Sequence, residues 1–321
     1  MTERSERGGS HRDDRGGRGY RGGSGGGDRG YRGGSGGGRG GGDRGGDRGY
    51  RGGDRGYRDG ERGRSRRVYD DEPRDGLLAD LVGHLHALDG RSYAAYKAIV
   101  GRYRAPAGWF LHIDRVQSDP YAPPTRIHVD VPTDLHGLEL LDEADLLADA
   151  DRRLAVGDFL TRELHAGFRG TALSIASPGQ EILQRSSIIV RPDEKKEGPG
   201  WVLEVRARLA LPAQGRSIQG HEASRIVGRD LVRELEEAMD LTGERGDRLV
   251  RHVATLEDHR ALTATVARNG WVAFLADGSV LPRRSGVSDD PLDGGVPLQA
   301  PESMAATVEL PHAGTVRGTV V

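Results

Sequence analysis

No large aliphatic residue appears before Val68, so the first 67 positions have nothing with which to build a core. Gly fills 27 of them. With no apolar surface to bury, nothing offsets the conformational entropy of ordering such a segment, and residues 1–70 are expected to be disordered. Any fold must come from the rest of the chain. That remainder, roughly 250 residues, suffices for one large or two small hydrophobic cores.

Charge divides at the same place. Residues 1–67 carry 18 Arg and 10 acidic residues, a net of +8, while the rest carries a net of -10; the formal total of -2 hides the contrast. Arg-Gly-Tyr-Arg recurs along the basic segment, around Tyr20, Tyr31, Tyr50 and Tyr57. Guanidinium groups pair with phosphates, tyrosine rings stack on bases, and glycine lets both adapt, a composition suited to single-stranded RNA. Arg18, Tyr20, Arg21, Tyr31, Arg32, Tyr50, Arg51, Tyr57 and Arg58 are the candidate contacts. The competing expectation is a flexible solubilising tail, favoured by the interspersed acids.

The chain has no Cys, which excludes disulfides and cysteine–zinc sites. The opening MTERSERGG lacks the apolar core of a secretory signal. Apolar runs reach about six residues against the roughly 20 that a membrane helix needs, so a cytoplasmic protein without membrane contact is expected.

Beyond the tail, the patterning predicts a mixed α+β domain. Leu77, Leu78, Leu81, Val82, Leu85 and Leu88 form a helical stripe, with Asp75 as the expected cap and Gly90 as the stop. His84 and His86 fall on different faces of that helix and do not share a metal. A short helix over Tyr93–Val100 comes next. Residues 109–114, 126–131, 173–175, 188–190 and 202–211 read as strands, and 154–168, 223–239 and 247–268 as helices. Residues 133–150 read as a solvated connection or short helix. The charged loop from Asp193 to Gly200 holds Lys195 and Lys196. Two closing strands, 306–310 and 315–321, join at Pro-His-Ala-Gly.

The densest motif is the stretch from Glu257 to Pro291. It opens as a helix that stops at Asn269-Gly270, and continues into an apolar run from Trp271 to Ala276. Asp277-Gly278 then predicts a tight hairpin, because a type I′ turn needs positive φ at both central residues. The return strand over 279–281 would deliver Arg283, Arg284 and Ser285 on a stiff turn, two guanidiniums and a hydroxyl suited to a phosphate or carboxylate. Earlier, PAQGRSIQG sets Gln214 and Arg216 beside Gly215 and Gly220, with Arg216 as a further candidate anion contact.

Several of these phrases resemble the ATPases of the ABC class, a P-loop family with RNA-associated relatives. They are LDGRSYAAYKAIVGRY; DRVQSDP, with Asp114, Gln117, Asp119 and Arg126; SPGQEILQRSS, with Gln180, Glu181 and Arg185; LPAQGRSIQG; and Glu257-Asp258 with VAFLADGSVLPRRSGVSDDP. The resemblance covers about residues 76–321. It implies ATP and magnesium as cofactors and a homodimer for the full-length family. It also divides the chain into a tail (1–70), an N-terminal α+β domain (71–270) and the start of the ATPase core (271–321).

One part is missing. No Gly-x-x-x-x-Gly-Lys-Ser/Thr occurs, and none of the three lysines (Lys97, Lys195, Lys196) stands directly after a glycine. His-Glu-x-x-His and a Ser-His-Asp set are absent as well. VRGTVV resembles the strand that leads to the phosphate-binding loop in the family, so the expectation is a core truncated before that loop. Such a chain would hold no catalytic residue, bind ATP and magnesium weakly, and not hydrolyse ATP. The alternative is a non-catalytic RNA-binding or scaffolding protein working through its tail. The discriminating signal is the phosphate loop.

Overall fold

The computed structural model describes residues 74–194 and 200–321; the Arg-Gly-Tyr segment, with all of its candidate contacts, and the pair Lys195-Lys196 lie outside the described residues. The elements run β1 (Arg74–Leu77), α1 (Leu78–Ala87), a 3₁₀ turn (Tyr93–Ile99), β2 (Gly101–Arg104), β3 (Phe110–Arg115), β4 (Thr125–Pro132), α2 (Leu140–Glu143) and α3 (Ala150–Gly167). Then come β5 (Leu173–Ser174), β6 (Ile188–Pro192), β7 (Trp201–Leu209), β8 (Ala213–Gln214), β9 (Ser217–Ile218) and α4 (Gly220–Arg225). A π-helical turn, Ile226–Leu231, joins α4 to α5 (Val232–Met239), and α6 (Glu244–Arg268), β10 (Phe274–Ala276), β11 (Ala305–Leu310) and β12 (Gly314–Val320) complete the chain.

The main sheet has the order β1-β2-β3-β4-β7, with β5 and β6 both pairing to the far side of β7. Only β1 pairs in parallel, with β2; the other ladders of this sheet are antiparallel. Alternation along the strands separates two faces. Leu111, Ile113, Ile127, Val129, Val131, Leu203, Val205, Ala207 and Leu209 are buried and share one core with residues of α1, α3, α5 and α6. The opposite face carries His112, Asp114, Arg126, His128, Asp130, Glu204, Arg206 and Arg208, half-buried or exposed. The α+β expectation holds, and α3, α6, β3, β4, β7, β11 and β12 form where periodicity put them.

Two local expectations, the Asp75 cap and the Asp277-Gly278 hairpin, are corrected. Residues Arg74–Leu77 form a strand, so Asp75 caps nothing; the Asp80 carboxylate instead accepts from the Leu77 N–H at 2.9 Å. Over 133–150 the short helix forms, as α2, and the span is anchored rather than merely solvated, because Leu138, Leu141, Leu146 and Leu147 are buried beneath its acids. Glu257-Asp258 lies inside α6, the helix expected over 247–268. Asp277-Gly278 closes no hairpin: β10 pairs with β12 (Phe274 opposite Val320), residues 279–281 form no strand, and of the two only Gly278 has positive φ, 87°. Asp277 is recruited elsewhere, accepting from the Ala300 N–H at 2.6 Å and pairing with Arg317 at 2.6 Å.

The last sheet, β10-β12-β11, is joined to α6 through the helix's own acids. Asp258 accepts from the N–H groups of His312 (2.8 Å) and Ala313 (2.9 Å), which holds the Pro311–Gly314 turn; Glu257 pairs with His312 and with Arg152 on α3, the latter at 2.7 Å. Apolar side chains remain uncovered around this sheet, notably Val272, Val287, Val296 and Val321. No described helix is long and apolar enough to cross a membrane.

Candidate functional site

The polar face of the main sheet forms a groove of about 840 Å³ lined by Asp114, Arg126, His128, Ser174, Glu204, Arg206 and Arg208, with Ser177, Ser186 and Ser187 on its rim. Strand register builds its floor. His112 lies opposite His128, and His128 opposite Arg206; Asp130 lies opposite Glu204, and Arg126 opposite Arg208. Two motifs far apart in the sequence meet here, since Asp114 and Arg126 flank the DRVQSDPYAPPT loop while Ser177, Ser186 and Ser187 belong to SPGQEILQRSS.

The carboxylates on the floor are paired. Arg191 reaches across from β6 to Asp130 (2.9 Å) and Glu204 (2.9 Å), and Arg206 meets the other oxygen of Glu204 at 2.7 Å. Burial by itself would raise these carboxyl pKa values, but the partners outweigh it. Asp130 (with His112 and Arg191) and Glu204 (with Arg206 and Arg191) therefore both sit below the usual carboxylate value. Asp114 accepts from His128 Nδ1 at 2.8 Å, and the His112 and His128 rings stack with centroids 4.1 Å apart.

The rim loop hangs from one buried carboxylate. Asp158 on α3 is fully enclosed and paired with Arg162 (2.7 Å), Arg185 and His252 (3.1 Å). Arg162 also donates to the carbonyls of Gly179 (2.7 Å) and Glu181 (3.1 Å), fixing the SPGQEILQRSS segment from beneath. Burial, with Arg162 alongside, lowers the His252 pKa to about 4, so the ring is neutral near pH 7 and donates to Asp158. Arg185, a motif residue, is therefore an anchor. Asp119 likewise serves its own loop, accepting from the Tyr121 (2.9 Å) and Ala122 (3.1 Å) N–H groups, and the Gln117 N–H donates to Thr125 Oγ1 at 3.0 Å.

The residues proposed from sequence for nucleotide or partner contact lie in two places. Arg283, Arg284 and Ser285 are exposed in a loop that satisfies itself: Arg283 meets Asp289 (3.5 Å), Arg284 meets Asp290 and Asp293 (3.2 Å each), and Ser285 Oγ accepts from the Val287 N–H at 3.4 Å. Gln180 donates to the Asp289 carbonyl, which ties this loop to the SPGQEILQRSS segment. Gln214 and Arg216 are exposed on the β8–β9 hairpin, where Gln214 borders a separate groove with Asp89, His221, Glu222 and Arg225. The arginine loop and the hairpin are joined by no hydrogen bond or ion pair among the described residues. Gly215 has φ 61°, as the tight turn requires, and Gly220 is pressed so close to α1 that a Cβ would stand 2.4 Å from the Leu85 carbonyl oxygen. Arg216 pairs with no carboxylate among the described residues.

Alternation along 202–211 puts Glu204 and Arg206 on one charged strand face, whereas His112, His128, Asp130 and Arg191 went unread in the sequence. Strand alternation alone puts His128, Asp130 and, one strand over, His112 on polar faces; what brings them together is the register, which no local pattern states.

Two family models match in tandem: the N-terminal region of the ATPases of the ABC class, over residues 78–241, and the P-loop domain of the same ATPases, over residues 245–321. Comparison with curated proteins gives no match. The first model spans every strand of the main sheet except β1, together with α1 to α5, and accounts for half of the chain. The chain belongs to the ATPases of the ABC class.

Proposed function

We propose that this chain is the N-terminal part of an ATP-using, RNA-directed machine of the ABC class, and that by itself it does not hydrolyse ATP. The observation that carries the reading is a pairing: both family models match, yet no lysine stands in a phosphate-gripping glycine loop anywhere in the sequence. Without that loop's amides and ammonium, magnesium and the β- and γ-phosphates lack their usual cradle. Arg283, Arg284 and Ser285, and separately Gln214 and Arg216, are then surfaces for a nucleotide or partner held mainly by other residues. Titration with a fluorescent ATP analogue and magnesium is expected to give no tight, saturable complex; tight binding lost in Arg283→Ala or Arg284→Ala would count against the reading.

RNA is assigned to residues 1–70. Their arginines supply phosphate contacts whose strength falls with salt, and their tyrosines supply stacking. Removing residues 1–67 is expected to lower RNA affinity sharply at low salt and to flatten its salt dependence. Unchanged affinity at two salt concentrations would remove RNA from the proposal. The tail's composition also favours a second reading, a non-catalytic RNA-binding or scaffolding protein in which the folded part serves association; RNA affinity that ignores nucleotide and partner alike would select it.

A further inference from the structure

The polar sheet face holds a ligand constellation that the nucleotide reading does not use. We propose that His112, His128 and Asp130 form a binding site for a divalent transition-metal ion of the zinc type.

One ligand atom from each of the three lies within 4.8 Å of the others. Donors on a single tetrahedral ion stand roughly 3.4 Å apart, given bonds of about 2.0–2.1 Å, so the donor atoms need to approach only a little, while the two stacked rings must tilt out of parallel for both lone pairs to converge on one ion. The strands make this arrangement rigid: His112 and His128 are directly opposed on β3 and β4, and Asp130 lies two residues beyond His128 on the same face. Two imidazoles and one carboxylate suit zinc and its neighbours far better than magnesium or calcium, which prefer oxygen.

Two of the three ligands already have an outer partner of the right kind. His128 gives its Nδ1 to Asp114 at 2.8 Å, which leaves Nε2 as the free lone pair, the usual arrangement behind a metal-bound histidine. Asp130 has one oxygen, Oδ1, held by Arg191 at 2.9 Å, while Oδ2 faces His112 Nε2 at 3.5 Å. That His112 nitrogen is enclosed and makes no hydrogen bond, a polar atom in want of a partner. Arg191 and Arg206 bring positive charge nearby, but both are engaged by Glu204. Through His128 the site borders the groove, so a fourth position on the ion would open toward whatever the groove receives.

The test uses the full 321-residue chain after EDTA treatment. Calorimetric titration with ZnCl₂ is expected to show one site that the His112→Gln/His128→Gln double variant loses. Asp114→Asn, which alters only the outer partner, is expected to weaken zinc by roughly 10–100-fold. Cobalt(II) in place of zinc is expected to give the intense visible bands of a low-coordinate imidazole site. Zinc affinity equal in wild type and double variant, no zinc binding at all, or a cobalt spectrum like that of the aquo ion would each overturn the proposal. If the double variant fails to fold, the wild-type melting temperature decides: zinc raises it if the site is real and leaves it unmoved if it is not.

Discussion

The main-sheet region and the stretch from Trp271 to Gln299 carry family motifs at similar density and are held together in opposite ways. Between Leu78 and Leu256 a single core gathers leucines, valines and isoleucines from every large element. Between 271 and 299 no residue is buried, and Val287 is fully exposed. There the chain is fixed by the short pairing of β10 with β12, by turns and by surface ion pairs, Arg283 with Asp289 and Arg284 with Asp290 and Asp293.

That contrast can be broken by mutation, beginning with the deepest charge. Asp158→Ala would strand Arg162 and Arg185 without their enclosed partner, and a loss of about 3–5 kcal/mol is expected in denaturant unfolding. Leu160→Ala, in the fully buried stripe of α3, is expected to cost about 2–5 kcal/mol by the same measurement. Acid acts through His252. Its folded pKa of about 4 lies below its unfolded value, so the unfolded chain binds the proton first and stability falls as pH drops from about 6.5 toward 4. His252→Gln should flatten that part of the pH–stability curve; a curve of unchanged steepness would deny the neutral ring. Asp258→Ala removes the acceptor for two turn amides and is expected to cost about 1 kcal/mol, read most clearly as faster hydrogen exchange at His312 and Ala313. At the other extreme, Arg284→Ala and Val287→Ala should each stay within about 0.5 kcal/mol of wild type. A large loss at either would mean that the exposed stretch is structural after all.

Sequence patterning went far with the sheet and less far with the turns. The runs around β3, β4 and β7 alternate cleanly because one face of each meets the core, and α3 and α6 show their periodicity for the same reason. Asp277-Gly278 misled because a hairpin turn is a local signal and the pairing of β10 is not. β10 finds β12 across a long loop, and Asp277 spends its carboxylate on Arg317 and the Ala300 amide. Asp75 misled because four residues of parallel pairing with β2 outweigh its capping preference. At the candidate sites the arginines and Ser285 were visible as residue types, but their partners were not. Arg283 and Arg284 face acids six and nine residues on, whereas Arg216 faces none among the described residues. The histidine–aspartate cluster required strand register, which depends on every neighbour at once.

The most direct test of the central claim is phosphate release from ATP by the purified 321-residue chain in magnesium, with and without RNA. Release at the level of the buffer blank is predicted in both. Turnover above the blank that disappears in Arg283→Ala or Arg284→Ala would contradict it.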